Sequence, residues 1–138
     1  MGLEWRENLS VGNDLIDTDH KHLIEIINQA ETALKTKSRA KLTAVIDSLA
    51  RYSKLHFSNE ERIALAAGYP ETAHLHASHD SLLKRLDEVS QELGEVWTDT
   101  AGEDCNAFLR DWLINHVIKE DMLMKPYLKK LSPRLVPR

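Results

Sequence analysis

A histidine and a glutamate in the middle of a largely apolar helix face are the strongest constraint on how this chain can fold. His56 and Glu60 are four residues apart in a stripe that continues with Leu49 on one side and Ile63 on the other. Residues at this spacing lie on one helix face, about 5–6 Å apart at Cβ. Because an unpaired buried carboxylate is costly, the pair needs a partner, and a metal ion suits both side chains.

Hydrophobic periodicity predicts four helices and no persistent strand. After an irregular arm at residues 1–16, the helices cover about residues 18–37, 39–67, 71–93 and 104–131. Asp17 or Thr18 is expected to cap the first helix and Ser38 the second. Short connections make consecutive helices neighbours, so the prediction is an all-α, antiparallel up-down four-helix bundle whose longest connection is residues 94–103.

The composition of the chain excludes several classes of function. The 138 residues carry a net charge of −4, which argues against nucleic-acid binding, and no apolar run approaches the roughly 20 residues that span a membrane. A single cysteine suits a reducing cytoplasm. Residues 1–134 are predicted to form one domain, and residues 135–138 (LVPR) look like the remnant of a cleavable tag. Oligomeric state stays open.

The predicted helices direct several potential metal ligands toward the interior. They are His20, His56, Glu60, His76, His79 and His116, with Glu120 and Asp121 one turn beyond the last. A shared metal site would give all these side chains a partner at once, whereas separate buried imidazoles would each need a hydrogen-bond partner of their own. The set is too large for one tetrahedral zinc ion and suits iron. Two non-heme iron ions joined by two carboxylates and an oxo or hydroxo group would use it.

The motifs along nearly the whole chain resemble those of the hemerythrin family, specifically its single-domain bacterial members. They are Trp5, Val11-Gly12 through His20, His56-Phe57 with Glu60-Glu61, Gly68-Tyr69-Pro70, and Trp112-Leu113-Ile114-Asn115-His116 with Asp121. The resemblance implies a non-heme di-iron centre that binds dioxygen reversibly.

The resemblance also implies a role for each ligand. His20 and His56 would hold the iron that binds dioxygen. Histidines of the third helix and His116 would hold the other iron, while Glu60 and Asp121 would bridge the two. Leu113 would line the dioxygen pocket.

One position departs from the family pattern. The family's third helix carries two histidines four residues apart, but the residue four before His79 is Leu75. His76 can replace the missing ligand after a slight rotation, His74 can do so if the helix contains a π-bulge, or neither binds. Asp121 follows His116 by five residues, so a local helix distortion is expected there as well.

The sequence therefore favours a non-enzymatic dioxygen-binding protein that acts as a carrier, a store or a sensor. The alternative is a di-iron oxidase or peroxidase, or a protein that reacts with nitric oxide. The altered histidine pair supports the alternative, because a lost ligand opens a second coordination position.

Overall fold

Four long helical segments make up the chain in a computed structural model that describes residues 2–134. The first three are α1 (Asp14–Lys35), α2 (Arg39–Ala66) and α3 (Thr72–Leu93). The fourth begins as α4 (Asp99–Asp111) and continues through a π-helical segment (Trp112–Ile118), α5 (Lys119–Asp121), a 3-10 turn (Met122–Met124) and α6 (Lys125–Leu128). The expected tag remnant at residues 135–138 lies outside the described residues.

The helices pack in the predicted order. α1 lies against α2 and α4, and α3 also contacts α2 and α4. Short connections between consecutive helices give the antiparallel, up-down arrangement. Residues 2–134 contain no β-strand, and none of their helices has the length and apolar character needed to cross a bilayer. The predicted all-α four-helix bundle is confirmed.

The start of α1 differs from the prediction. The helix begins at Asp14, and its cap is Asn13, whose side chain accepts a hydrogen bond from the Ile16 amide at 3.1 Å. The expected cap at Asp17 or Thr18 is therefore wrong. The Asp17 carboxylate instead accepts a hydrogen bond from the Val11 amide at 2.9 Å and so holds the N-terminal arm. Several neighbouring residues can cap a helix, and the contacts of the arm decide between them.

Both ends of α2 follow the sequence signals. The Ser38 side chain accepts from the Lys41 amide at 3.3 Å, as expected of an N-cap. Gly68 has a φ of 76°, the left-handed conformation that commonly terminates helices and that glycine adopts without steric cost. Across this turn the Tyr69 amide donates to the Ala64 carbonyl at 3.0 Å.

The fourth segment begins earlier than predicted. Residues 94–103 are not one long connection, because α4 already starts at Asp99. Gly102 suggests a loop in the sequence, but it lies inside the helix, where a Cβ would be 3.3 Å from the Trp97 ring. Trp97 is buried and its Nε1 donates to the Leu34 carbonyl at 3.1 Å. Gly102 thus leaves room for a tryptophan that anchors the connection to α1.

The apolar core consists of two clusters. The small apolar cluster contains Val11, Ile16, Ile63, Ala64, Tyr69, Leu75, Met124 and Leu128. The large apolar cluster includes Leu23, Leu49, Phe57, Leu82, Leu86, Trp112, Leu113 and Ile118. Where each helical segment passes from one cluster to the other, it carries a buried polar residue: His20, Glu60, His79 or Asp121. The bundle therefore contains one polar layer between two apolar clusters.

Loss of the Ser38 cap tests the account of α2. Ser38→Ala should lower the free energy of unfolding by about 0.5–2 kcal/mol, because the Lys41 amide loses its acceptor. Ser38→Asp keeps an acceptor and should unfold within about 0.5 kcal/mol of the parent. Urea denaturation of the metal-free proteins measures both. Equal destabilisation by the two substitutions would contradict the capping role.

Candidate metal centre

Four buried side chains from three helical segments meet inside the bundle. They are His20 from α1, His56 and Glu60 from α2, and Asp121 from α5, and their ligand atoms all lie within 4.8 Å of one another. Nε2 of His20 is 2.6 Å from Oδ2 of Asp121. Nε2 of His56 is 2.8 Å from Oε2 of Glu60. We call these four residues the buried quartet, and it has the geometry of a metal-binding site.

The burial of Asp121 follows an irregular stretch of helix. A π-helix closes its hydrogen bonds one residue later than an α-helix, and such bulges are frequent at functional sites. The distortion predicted from the five-residue spacing between His116 and Asp121 is present as the π-helical segment. At its start, Nε1 of Trp112 donates to the Leu82 carbonyl at 3.0 Å and fixes the segment against α3. Asp121 then faces the interior and is fully buried.

The protonation of the quartet reflects its burial. Burial, reinforced by the nearby charge of Asp121, raises the pKa of Glu60 to about 8. Burial also opposes ionisation of Asp121, but hydrogen bonds from its neighbours outweigh it and hold the pKa of that carboxyl well below its usual range. For His56, burial disfavours the imidazolium, but the Glu60 carboxylate and other acidic neighbours raise its pKa well above the usual value. Positive charge is favourable at this point, and a metal cation can take the place of the protons.

Several buried atoms of the quartet have no hydrogen-bond partner among the described residues. They are Nδ1 of His20, Nε2 of His56, both carboxylate oxygens of Glu60 and Oδ1 of Asp121; the 2.8 Å contact between Nε2 of His56 and Oε2 of Glu60 is an ion pair without hydrogen-bond geometry. A buried polar atom left without a partner costs about 1–3 kcal/mol, so such atoms are normally paired. These atoms lie around one point, and a cation bound there would give each of them a partner.

Two residues that lie behind His56 were not identified as part of the site from the sequence. Oδ2 of Asp19 accepts from Nδ1 of His56 at 2.9 Å, and Oδ1 of Asp19 accepts from the Tyr52 hydroxyl at 2.6 Å. A carboxylate that holds the second nitrogen of a ligating histidine fixes its tautomer and orientation. Asp19 precedes His20, and Tyr52 lies one helical turn before His56, so their proximity to predicted ligands was the available signal.

His79 borders the quartet from α3. Its Nε2 is 3.4 Å from Oε1 of Glu60 and has no hydrogen-bond partner in the described part of the chain. Its Nδ1 lies 3.0 Å from Oε2 of Glu61, which orients the ring as Asp19 orients His56. The ring also stacks on Phe57, with 3.9 Å between centroids. The structure therefore brings His79 to the site, on the side of Glu60 that faces away from His56.

The structure does not bring the other histidines of α3 to the quartet. The side chain of His76 is 61% exposed and its Nδ1 is 2.5 Å from Oε1 of Glu61. The side chain of His74 is 70% exposed and lies 3.9 Å from Glu120. α3 is a regular α-helix over Thr72–Leu93, without the bulge that His74 would need. The face one turn before His79 is occupied by Leu75, so the inward direction predicted for His76 is wrong.

His116 also lies away from the quartet. Its side chain is 56% exposed, and its Nε2 is 3.3 Å from Oδ2 of Asp111 on the bundle surface. The inward direction predicted for His116 is therefore wrong in this structure. The π-helical segment buries Val117 and Ile118 instead, which a regular 3.6-residue period does not anticipate.

Leu113, the predicted wall of a dioxygen pocket, is fully buried in the large apolar cluster. Its burial is compatible with that role, which stays a prediction.

Comparison with known proteins places this site in a family. Residues 11–128 match the family model described as the hemerythrin HHE cation binding domain. The chain belongs to the hemerythrin family. It is 33% identical over 131 residues to a bacteriohemerythrin of Stenotrophomonas maltophilia, an alignment that covers 92% of this chain and 82% of the relative. A bacteriohemerythrin of Methylococcus capsulatus is 31% identical over 114 residues, with 81% of this chain and 85% of the relative covered.

Solved structures of hemerythrin share the fold. Wild-type hemerythrin aligns with a TM-score of 0.77 and 28% identity, covering 91% of this chain and 97% of that chain. A leucine-to-alanine mutant of hemerythrin aligns with a TM-score of 0.79 and 27% identity, covering 93% and 98%. The four-helix bundle of this protein is thus the hemerythrin bundle.

The hemerythrin family implies an iron centre, and the donor atoms of this site can be compared with those that iron prefers. Two imidazoles and two carboxylates, with unpartnered donor atoms around one point, are a suitable set for one iron ion. His79 adds a fifth donor beside the free Oε1 of Glu60, so a second ion could share that carboxylate. The residues fit a hemerythrin iron centre, with unequal numbers of imidazoles on its two sides.

Removal of the charge on Asp19 tests the arrangement behind His56. Asp19→Asn should weaken Fe²⁺ binding by roughly 10–100-fold, because the amide holds the His56 ring less strongly. Asp47→Asn removes the same charge from an exposed position on α2 and should leave the affinity unchanged. Equilibrium dialysis under argon measures both. Parent-like affinity in Asp19→Asn would show that Asp19 does not position the ligand.

Proposed function

We propose that this protein binds dioxygen reversibly at a non-heme di-iron centre built on the buried quartet. The observation that carries the proposal is the buried quartet itself, which lies in the polar layer of a hemerythrin-family bundle. Reversible dioxygen binding suits a carrier, a store or a sensor, and does not require an enzyme.

The quartet and His79 would hold the metal together. His20 and His56 would supply imidazole nitrogens on one side, and His79 would supply one on the other. Glu60 and Asp121 supply oxygens, and Glu60 lies between His56 and His79, with one carboxylate oxygen facing each. Ferrous iron held by these residues would supply the electrons that dioxygen accepts when it binds and returns when it is released.

The surroundings of the quartet exclude water. The small and large apolar clusters lie on its two sides, and the four residues of the quartet are themselves at most 1% exposed. A dry site slows the entry of protons and so favours reversible binding over irreversible oxidation of the metal. We assign Leu113, which is fully buried in the large apolar cluster, to the wall of the dioxygen pocket, as the family resemblance implies.

The composition of the site favours binding over catalysis. Ferritin-like di-iron proteins use more carboxylates and two Glu-x-x-His motifs, whereas the quartet and His79 together have three imidazoles and two carboxylates. The sequence has a single cysteine, Cys105, and therefore no internal disulfide, which suits a reducing compartment such as the cytoplasm.

A second function is favoured by one observation, the replacement of a third-helix histidine by buried Leu75. An iron ion with fewer protein ligands would have a coordination position open to peroxide or nitric oxide. An oxidase, a peroxidase or a nitric-oxide-reactive protein would use that opening.

Cycling between air and argon separates these functions. Protein loaded with ferrous iron should develop a visible absorption band in air, lose it under argon, and regain it over repeated cycles. His56→Ala should abolish the band and lower the midpoint of thermal unfolding in the presence of iron, because metal binding and folding are linked. His74→Ala removes an exposed imidazole and should behave as the parent.

A single oxidation in air that argon does not reverse would contradict reversible binding and support the oxidase. Nitric oxide added to the ferrous protein tests the remaining alternative. Rapid turnover of nitric oxide, with no reversible dioxygen signal, would reassign the function.

A further inference from the structure

The Glu61 carboxylate contacts two histidines of α3. Its Oε2 lies 3.0 Å from Nδ1 of His79, and its Oε1 lies 2.5 Å from Nδ1 of His76. The side chain of His79 is 3% exposed, whereas that of His76 is 61% exposed. One carboxylate therefore joins an imidazole at the buried centre to an imidazole in solvent.

His76 is oriented in the way that metal-ligating histidines usually are. A carboxylate at one ring nitrogen fixes the tautomer and directs the other nitrogen toward the metal, as Asp19 does for His56. Glu61 holds Nδ1 of His76, so Nε2 is the nitrogen left to bind an ion. That nitrogen lies 3.4 Å from Oδ2 of Asp80, one helical turn further along α3.

The spacing of these two atoms suits a shared metal ion. Two ligand atoms that each lie about 2.0–2.2 Å from a zinc ion, at the tetrahedral angle, are about 3.4 Å apart. Nε2 of His76 and Oδ2 of Asp80 have this separation. The two side chains are 61% and 70% exposed, so water can complete the coordination.

The pair borders a surface cleft of about 450 Å³ between α2 and α3, which His79 also lines. Lys54 and Arg62 lie along the same cleft and offset the charges of Glu61 and Asp80. A cation is therefore selected there by ligand chemistry rather than by an excess of negative charge. An imidazole nitrogen favours zinc or iron, whereas calcium and magnesium prefer oxygen ligands.

We infer that His76 and Asp80 form an outer site for a divalent transition-metal ion, at which iron is captured on its way to the buried centre. Glu61 orients the imidazoles at both ends of this route. The inference rests on the proposed function for the destination of the ion. Two protein ligands hold an ion less tightly than the buried quartet does, as a capture site requires, because the ion has to leave again.

Equilibrium dialysis of the metal-free protein against Zn²⁺, a probe that is not oxidised in air, tests the outer site. The parent should bind one more zinc ion than His76→Ala, and Asp80→Ala should lose the same ion. His22→Ala is the matched control, because His22 is an exposed histidine with an acidic neighbour, Glu25, at 3.8 Å. It should bind as many ions as the parent. Equal counts in the parent and His76→Ala, or an equal loss in His22→Ala, would overturn the inference.

The rate of iron uptake tests the role in capture. Metal-free protein is mixed with Fe²⁺ under argon, a chelator stops uptake after set times, and elemental analysis gives the bound iron. His76→Ala should fill several times more slowly than the parent and reach the same final content, because the buried ligands are unchanged. Uptake at the parent rate would overturn the inference. A lower final content would also overturn it, since His76 would then be a ligand of the buried centre.

Neither measurement involves dioxygen, so the inference and the proposed function can fail separately. The extra zinc ion and slower uptake, without a reversible band in air, would support the outer site and contradict dioxygen binding. A reversible band with neither effect would overturn the outer site and leave dioxygen binding intact. Absence of iron uptake by the parent would contradict both.

Discussion

The fold depends on how a bundle of apolar helices accommodates two carboxylates in its interior. Glu60 and Asp121 are both fully buried, and their ion-pair contacts within residues 2–134 are with histidines rather than with arginine or lysine. Transfer of an ionised carboxylate from water into such surroundings is costly unless an opposite charge accompanies it. Imidazoles and protons provide part of that charge, and a bound cation would provide the rest. The proposed function would then have the same physical origin as the stability of the bundle.

Every helical segment contributes to the same polar layer. In each one, the apolar face is interrupted by a polar residue where it passes from the small to the large apolar cluster. Regular α-helical geometry is enough for the first three segments. The fourth needs the π-helical segment to direct Asp121 inward, and Trp112 fixes the start of that segment through its bond to the Leu82 carbonyl. The layer is thus supported by the packing of residues that do not belong to it.

Much of this architecture could be predicted from the sequence. The four helices, the Ser38 cap, the Gly68 turn and the buried pair His56–Glu60 follow from periodicity and from the chemistry of single residues. The predicted starts of α1 and α4 were wrong because tertiary contacts decide where these helices begin. Asn13 rather than Asp17 caps α1, and Gly102 lies in a helix because Trp97 packs against it.

The orientation of individual histidines was harder to predict. A shift of one residue moves a side chain by about 100° around a helix, so His74 and His76 fall on either side of the buried face that Leu75 occupies. His116 lies within the π-helical segment, where a regular period no longer gives the direction of a side chain. Asp19 and Tyr52 were missed because a residue that orients a ligand leaves no spacing pattern of its own.

Anomalous X-ray scattering at the iron absorption edge, on crystals of protein loaded with Fe²⁺ under argon, is the most direct test of the buried quartet as a metal site. We expect a strong anomalous peak between the imidazoles of His20 and His56 and the carboxylates of Glu60 and Asp121. No peak at that point, or iron held only at surface histidines such as His74 and His116, would contradict the account.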